Sequence, residues 1–199
     1  MKEKIAIFGG SFNPPCKHHQ SIAEALSKHF DKVIIVPCGE RKDKSTTNII
    51  DSKHRGEMTV LTFSDLPNVT VDLFDLKSDK FTPTLYVHEH YQKIFPDADI
   101  WHVIGGDIVF GGKEGKSVIE QSWYRGEYIW KELKFAVIKR NGYSFAKKDL
   151  PPHSELIEID ELVGSSTSVR ELIKTKESID RYVDKKVKDY IEKNSLYYN

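Results

Sequence analysis

The sequence predicts an α/β protein organised as a doubly wound parallel sheet. A strand–helix–strand unit occupies the first 36 residues, its two apolar runs of four residues halt at glycine or proline, and helical spacing returns between the later strand-like runs.

Ile5-Ala6-Ile7-Phe8 is a short apolar run stopped by Gly9-Gly10, as expected of a buried strand entering a turn. From His19 to Phe30 the apolar positions Ile22, Ala23, Leu26 and Phe30 follow helical spacing. Val33-Ile34-Ile35-Val36 is a second buried strand, ended by Pro37. A strand, helix and strand this close together make a βαβ unit, whose strands run parallel. Arg41 to Asp51 is polar and reads as a loop. Met58, Leu61 and Thr62 mark a helix, Val69-Thr70-Val71 a strand, Leu85 to Phe95 a helix, and Ile100 to Ile104 a strand that stops at Gly105-Gly106-Asp107. Further strands are expected at Phe135 to Ile138 and Leu156 to Ile159, followed by a helical tail from Ser168 to Tyr197. No repeat or linker interrupts the pattern, so residues 1–199 are expected to form a single domain with a C-terminal helical segment from about 165 to 197.

Composition narrows the function classes. At 199 residues, a folded chain buries roughly 70% of the surface it exposes when unfolded and needs no covalent staples. The 39% hydrophobic and 30% charged fractions are those of a globular protein. Thirty basic residues balance thirty acidic ones, which argues against nucleic acid as the main partner, since a large phosphate-backbone footprint requires a basic excess. Cys16 and Cys38 are too few for a disulfide framework. The first strand follows Met1-Lys2-Glu3-Lys4 directly, leaving no room for a signal peptide, and no apolar stretch approaches the ~20 residues of a membrane span. The expectation is a cytoplasmic protein with no membrane partner.

Ligands of doubly wound sheets bind beyond the carboxyl ends of the strands. The unusual residues collect there: Gly9 to His19, Pro37 to Lys44, and Gly105 to Asp107. Gly9 and Gly10 let the backbone turn sharply and approach a ligand. Backbone N–H groups at the start of the next helix favour a phosphate, and His19 can present an imidazole donor to the same anion. Gly9-Gly10-Ser11-Phe12-Asn13-Pro14-Pro15-Cys16-Lys17-His18-His19 resembles the nucleotidyltransferase signature Gly-Gly-Thr-Phe-Asp-Pro-x-His-x-Gly-His. Cys16 stands where that signature has its first histidine, and His18 where it has glycine. A thiol is a weaker donor than an imidazole. The glycine leaves space for the nucleotide, which the His18 ring would crowd unless it turned to supply the missing donor. Cys16 and Cys38 follow neighbouring strands, so a redox pair, or a metal site with His18 or His19, is conceivable; the spacing matches no common zinc pattern, and two unrelated thiols are the expectation.

A second segment, Gly164-Ser165-Ser166-Thr167-Ser168-Val169-Arg170, has the hydroxyls of a helix start followed by a fixed charge, which suits either a helix cap or outer phosphates. It is similar to the Ile-Ser-Ser-Thr-x-Ile-Arg motif of the nicotinate-nucleotide adenylyltransferases. Smaller likenesses keep that family's order. Arg55 with Met58 resembles Arg-x-x-Met, and Ile104 to Asp107 resembles Ile-Gly-x-Asp. Trp123-Tyr124 resembles the tryptophan that stacks on pyridine, Lys139 to Tyr143 the Arg-x-Gly-Tyr segment, and Leu196-Tyr197 the closing helix, whose residues are expected to serve as core. Phe81 to Leu85 resembles Ser-Tyr-Thr-x-x-Thr-Leu, but is one residue short and lacks the serine, while 108–122 is longer than the family usually has. Gly112 to Ser117 mimics a Walker loop, but Phe110 occupies the place of its first glycine, so a surface loop is expected.

The resemblance implies a Rossmann-like nucleotidyltransferase fold and transfer of an adenylyl group from ATP, with Mg2+, to a mononucleotide of nicotinate or nicotinamide. Catalytic groups would be His19, Cys16 and His18. ATP would contact Gly9, Gly10, Ser11, Phe12, Lys44, Ser165, Ser166, Thr167 and Arg170; the acceptor would contact Thr82, Gly105, Asp107, Trp123 and Arg140. The implied partners are ATP and the mononucleotide acceptor, with homo-oligomerisation open. A sister transferase with another phosphate acceptor, and a nucleotide-binding relative impaired by Cys16 and His18, remain alternatives. A fragment of a class I aminoacyl-tRNA synthetase, which shares the fold, fits poorly with the short, charge-balanced chain.

Overall fold

The computed structural model describes residues 2–41, 47–77, 81–139, 146–159 and 164–198. In chain order the elements are β1 (Lys4–Gly10), α1 (Lys17–His29), β2 (Lys32–Pro37), α2 (Ser52–Phe63), β3 (Val69–Val71), α3 (Thr84–Ile94), β4 (Asp99–Gly105), α4 (Gly106–Val109), α5 (Val118–Ser122), α6 (Gly126–Glu132), β5 (Lys134–Ile138), β6 (Ser154–Ile157), α7 (Ser166–Lys174) and α8 (Lys185–Lys193). The six strands form one sheet in the order β3-β2-β1-β4-β5-β6, and every pairing is parallel. The order reverses between β1 and β4, whose carboxyl ends lie at Gly10 and Gly105. That reversal opens a crevice between adjacent loops leaving toward opposite faces.

Both faces of the sheet are covered, so β1 and β2 are apolar at successive positions, 5–8 and 33–36, rather than at alternate ones. Ala6, Phe8, Val33 and Ile35 pack with Ile22, Leu26 and Phe63 on one face. Ile5, Ile7, Ile34 and Val36 pack with Tyr91 and Ile100 on the other. A third cluster joins Cys16 and Met58 to Val169, Ile173, Val187 and Ile191, which fastens the C-terminal helices beside the start of α1.

Two expectations are corrected. The last strand lies two residues earlier than the apolar run Leu156 to Ile159. Its ladder with β5 pairs Phe135 with Ser154 and Ile138 with Ile157, and Leu156 is 40% exposed. At a sheet edge Ser154 and Glu155 can be polar and still extended, which hides the strand's start from a search for apolar runs.

The C-terminal segment is two helices rather than one continuous helical tail. Lys176 takes a left-handed backbone, with φ of 59°, and Glu177 N–H bonds back to Leu172 C=O at 2.8 Å. That closes α7, and Asp184 then caps α8 by accepting from Lys186 N–H at 2.8 Å. Gly112 to Ser117 lies at the surface as expected, with Lys113, Glu114 and Lys116 exposed, but its ends are anchored: Gly112 and Ser117 are buried, and the Ser117 hydroxyl caps α5 at Glu120 N–H.

Candidate active site

A cleft of about 670 Å³ opens at the sheet's switch point. The first turn, Gly9 to Phe12, forms one part of its lining, together with His18 and His19. Ser165, Ser166, Thr167 and Arg170 line it from the C-terminal segment. Thr82, Gly105, Asp107 and Trp123 line it from the remaining strand ends and loops. Stretches far apart in sequence thus meet in one cavity. Cys16 is buried and is not part of the lining, and Lys44 and Arg140 lie outside the described residues.

The turn is held from below. Phe12 is buried in a left-handed conformation, φ 45°, with its ring edge-on to Phe8, Phe63 and His19. A Cβ on Gly10 would come within 2.9 Å of that ring, so Gly10 is glycine to let Phe12 close under the turn. At Gly9 a Cβ would meet only Val36 C=O, at 4.0 Å, so this glycine leaves room on the cleft side.

Helix α1 starts at Lys17, two residues before the sequence suggests, which puts both histidines in its first turn. Cys16 precedes it with an extended backbone, and its N–H donates to His19 Nδ1 at 3.0 Å. A neutral imidazole that accepts at Nδ1 carries its proton on Nε2. The bond therefore places the His19 proton on Nε2. His18 lies against it, ring centroids 3.7 Å apart and tilted by 38°.

Cys16 Sγ contacts Pro14 C=O at 3.3 Å and Ser166 Oγ at 3.9 Å. Burial pushes its pKa up to about 12, against smaller opposing effects of Ser166 and Arg170. It is therefore a neutral thiol at pH 7. Cys38 is also raised, chiefly by burial, and contacts Ser11 Oγ at 4.0 Å. The two thiols are free and have separate partners.

The C-terminal motif closes over the same turn. Ser165 caps α7 by accepting from Ser168 N–H at 3.1 Å, and Ser166 Oγ donates to Pro14 C=O at 2.9 Å. Arg170 donates to Asn13 C=O at 2.6 Å and to Thr167 Oγ1 at 3.0 Å. Its guanidinium thus braces the turn as well as lining the cleft, where the motif alone suggested only a charge for outer phosphates. Gly164 replaces the family's isoleucine because its φ is +80° and a Cβ there would lie 2.5 Å from the Tyr182 ring.

Sequence reading missed several residues that shape the site. Tyr197, expected only as core, also donates its hydroxyl to Asn13 Oδ1. Asp75 is buried and accepts from Gly39 N–H at 2.8 Å and Thr82 N–H at 3.1 Å, joining the loop after β2 to the segment before α3. Arg55 was visible as a motif echo, but its task is structural: from α2 it donates to Ser11 C=O at 3.0 Å and Cys38 C=O at 2.8 Å. Buried charged residues give such tasks away only when the fold shows which carbonyls they reach.

His102 on β4 lines the floor of the cleft, with its Nε2 3.2 Å from His88 Nδ1 on α3. Burial, then the neighbouring His88, push the His102 pKa down to about 3; His88 is also lowered, chiefly by burial. A base whose folded pKa is depressed stays neutral in the folded chain while the unfolded chain takes up a proton. Stability is then flat above the unfolded pKa of about 6.5 and falls below it, by at most about 1.4 kcal/mol per pH unit for each such histidine. Urea unfolding at a series of pH values from about 7 to about 5 is expected to show this decline, and His102→Gln to flatten it. Equal slopes in the two proteins would contradict the assignment.

A family model described as cytidylyltransferase-like matches residues 7–172. Over 197 residues the chain is 26% identical to the nicotinate-nucleotide adenylyltransferase of Bacillus subtilis, covering 98% of each protein. It is 30% identical over 200 residues to a protein of Methylacidiphilum infernorum named as a probable nicotinate-nucleotide adenylyltransferase, covering 98% of this chain and 92% of that one. The solved structure of Plasmodium falciparum nicotinic acid mononucleotide adenylyltransferase complexed with NaAD superposes with a TM-score of 0.80 at 25% identity, covering 99% of this chain and 98% of the other. The sheet order and the cleft at its switch point are those of the α/β nucleotidyltransferase fold. The chain belongs to the cytidylyltransferase-like family, within its nicotinate-nucleotide adenylyltransferase branch.

Proposed function

We propose that the protein transfers the adenylyl group of ATP to nicotinate mononucleotide, releasing pyrophosphate and forming a dinucleotide of the NAD pathway. The observation that carries this reading is the meeting of two helix starts, α1 and α7, with His19 at one cleft. Both helix starts present partial positive charge, as a bound triphosphate requires. The names of the relatives agree with it.

The acceptor's 5′-phosphate attacks the α-phosphorus in line as pyrophosphate leaves. Nucleophile and leaving group are both anionic, so no general base and no covalent intermediate are required. Catalysis is alignment and charge stabilisation. His19 donates to the α- and β-phosphate region through Nε2–H. Ser165, Ser166, Thr167 and Arg170 meet the outer phosphates, and Gly9 to Phe12 form the bed beneath them. Thr82, Gly105, Asp107 and Trp123 receive the acceptor. Lys44 and Arg140 stay assigned to phosphates and acceptor respectively on the resemblance alone.

Magnesium takes oxygen ligands in near-octahedral geometry. Among the described residues, the metal-ligating group at this end of the cleft is a thiol and two imidazoles, which does not fit it. A Mg2+ ion would arrive on ATP's own phosphate oxygens, and no step is derived through a protein-held one. The reading treats residues 1–199 as one cytoplasmic catalytic domain without a nucleic-acid partner. Two free thiols and, among the described residues, no helix long and apolar enough to cross a membrane support that location.

The test is pyrophosphate release from ATP with nicotinate mononucleotide, nicotinamide mononucleotide and phosphopantetheine in parallel. Nicotinate mononucleotide is expected to turn over fastest, and Trp123→Ala to raise its KM by about tenfold or more, since a base–aromatic stack contributes about 1–3 kcal/mol. Faster turnover of phosphopantetheine than of either mononucleotide would overturn the reading. An effect of Trp123→Ala confined to ATP would remove the stacking role.

A further inference from the structure

The two departures from the family signature, Cys16 and His18, fall beside His19 and together make a donor set that neither makes alone. One ligand atom from each of Cys16, His18 and His19 lies within 4.8 Å of the others. A tetrahedral ion with Zn–S near 2.3 Å and Zn–N near 2.0 Å holds such donors about 3.3–3.8 Å apart, so a shift of roughly one ångström closes the site. The scaffold is firm: Cys16 precedes α1 and is 1% exposed, while His18 and His19 stand in the first turn, His18 at 9% exposure. Both histidines line the cleft, so the fourth position faces an opening that water can fill. Sulfur with imidazole selects zinc and its neighbours over magnesium, calcium or manganese.

We propose that Cys16, His18 and His19 bind a divalent transition metal of the zinc class, and that the bound metal closes the phosphate end of the cleft to ATP. The first half stands on geometry alone; the second rests on the nucleotide reading above. On binding, the Cys16 thiol releases its proton to solvent as the sulfur–metal bond forms, and no electrons are transferred. His19 explains the exclusion. A neutral imidazole has one lone pair, and in His19 it accepts the Cys16 N–H at 3.0 Å. To hold a metal at Nε2 the ring must move its proton to Nδ1, which gives up both the Cys16 N–H bond and the Nε2–H offered to a phosphate.

The full-length protein, stripped with a chelator, is titrated with Co2+ and then Zn2+ in competition. One equivalent of cobalt is expected to bind with visible ligand-field bands and a near-ultraviolet thiolate-to-cobalt band. Cys16→Ser should remove the thiolate band, and both Cys16→Ser and His18→Gly should weaken binding more than about 100-fold, beyond what loss of an outer-shell partner costs. A wild-type complex without the thiolate band, or unchanged affinity in the folded His18→Gly protein, overturns the site. Binding of a non-hydrolysable ATP analogue is then measured by calorimetry, with free zinc fixed by a metal buffer. Zinc is expected to weaken it at least tenfold in the wild type and much less in His18→Gly. Unchanged analogue affinity on a zinc-loaded protein overturns the exclusion, whereas no analogue binding by the metal-free protein sinks the nucleotide reading and with it the exclusion, leaving the metal site standing.

Discussion

Replacing His19 with asparagine is expected to lower kcat/KM for dinucleotide formation by about 100- to 1000-fold while the protein stays folded, the loss typical of removing one aimed donor from a site where charge develops. Asparagine separates the two tasks of the ring. Its Oδ1 can take the place of Nδ1 and accept the Cys16 N–H, which the histidine does at 3.0 Å. It cannot extend a donor as far as Nε2–H. His19→Ala loses both, so it should show the same loss of turnover plus about 1 kcal/mol of stability, the usual cost of removing a group that satisfies a backbone N–H at a helix start. Pyrophosphate release and thermal unfolding on the three proteins check this. Turnover of His19→Asn within about threefold of wild type would retire His19 as the phosphate donor.

The largest effect on stability is expected from Arg55→Met. Arg55 is 1% exposed and gives one guanidinium nitrogen to both Ser11 C=O and Cys38 C=O, at 3.0 and 2.8 Å. Those carbonyls belong to the turn after β1 and the loop after β2, so one side chain ties together the ends of the two strands that floor the cleft. Burial pulls the Arg55 pKa down, and Cys38, Tyr197 and Asp75 oppose that. Methionine fills similar volume but donates nothing, and each buried carbonyl left without a donor costs about 1–3 kcal/mol. A loss of about 3 kcal/mol is expected, read as a fall in Tm of about 6–12 °C. Arg55→Lys should recover little of it, because its shorter stem leaves the ammonium short of the two carbonyls. A Tm within about 2 °C of wild type would show that the carbonyls find other donors.

The elements were largely legible because both sheet faces are covered. Such burial writes itself as unbroken apolar runs at 5–8, 33–36 and 135–138, and as a run at 100–104 broken only by His102, each lying inside an observed strand. Where that condition fails, so did the reading. At the sheet edge, β6 begins on Ser154 and Glu155, and composition does not mark them. The break between α7 and α8 turns on one left-handed residue, Lys176, of a type that does not advertise positive φ. Nor does spacing mark Gly112, Ser117 and Ile119 of the 108–122 insertion as buried, because short helices there cover them only once the chain is folded.

By itself the sequence determined which residue types the cleft would hold, and the family, since glycines, helix-start hydroxyls and paired histidines stand at fixed local spacing. Local spacing sets what a turn or a helix start can present to a ligand. Only the tertiary structure decided how those pieces share their atoms. It spends Arg170, Ser166 and Tyr197 on the backbone and side chain of Asn13 and on Pro14. It also brings Cys16 within metal-binding reach of both histidines. Hydrogen bonds and ligation depend on the last ångström between groups up to 184 positions apart. No spacing rule carries that distance, because it is fixed by how the helices pack on the sheet.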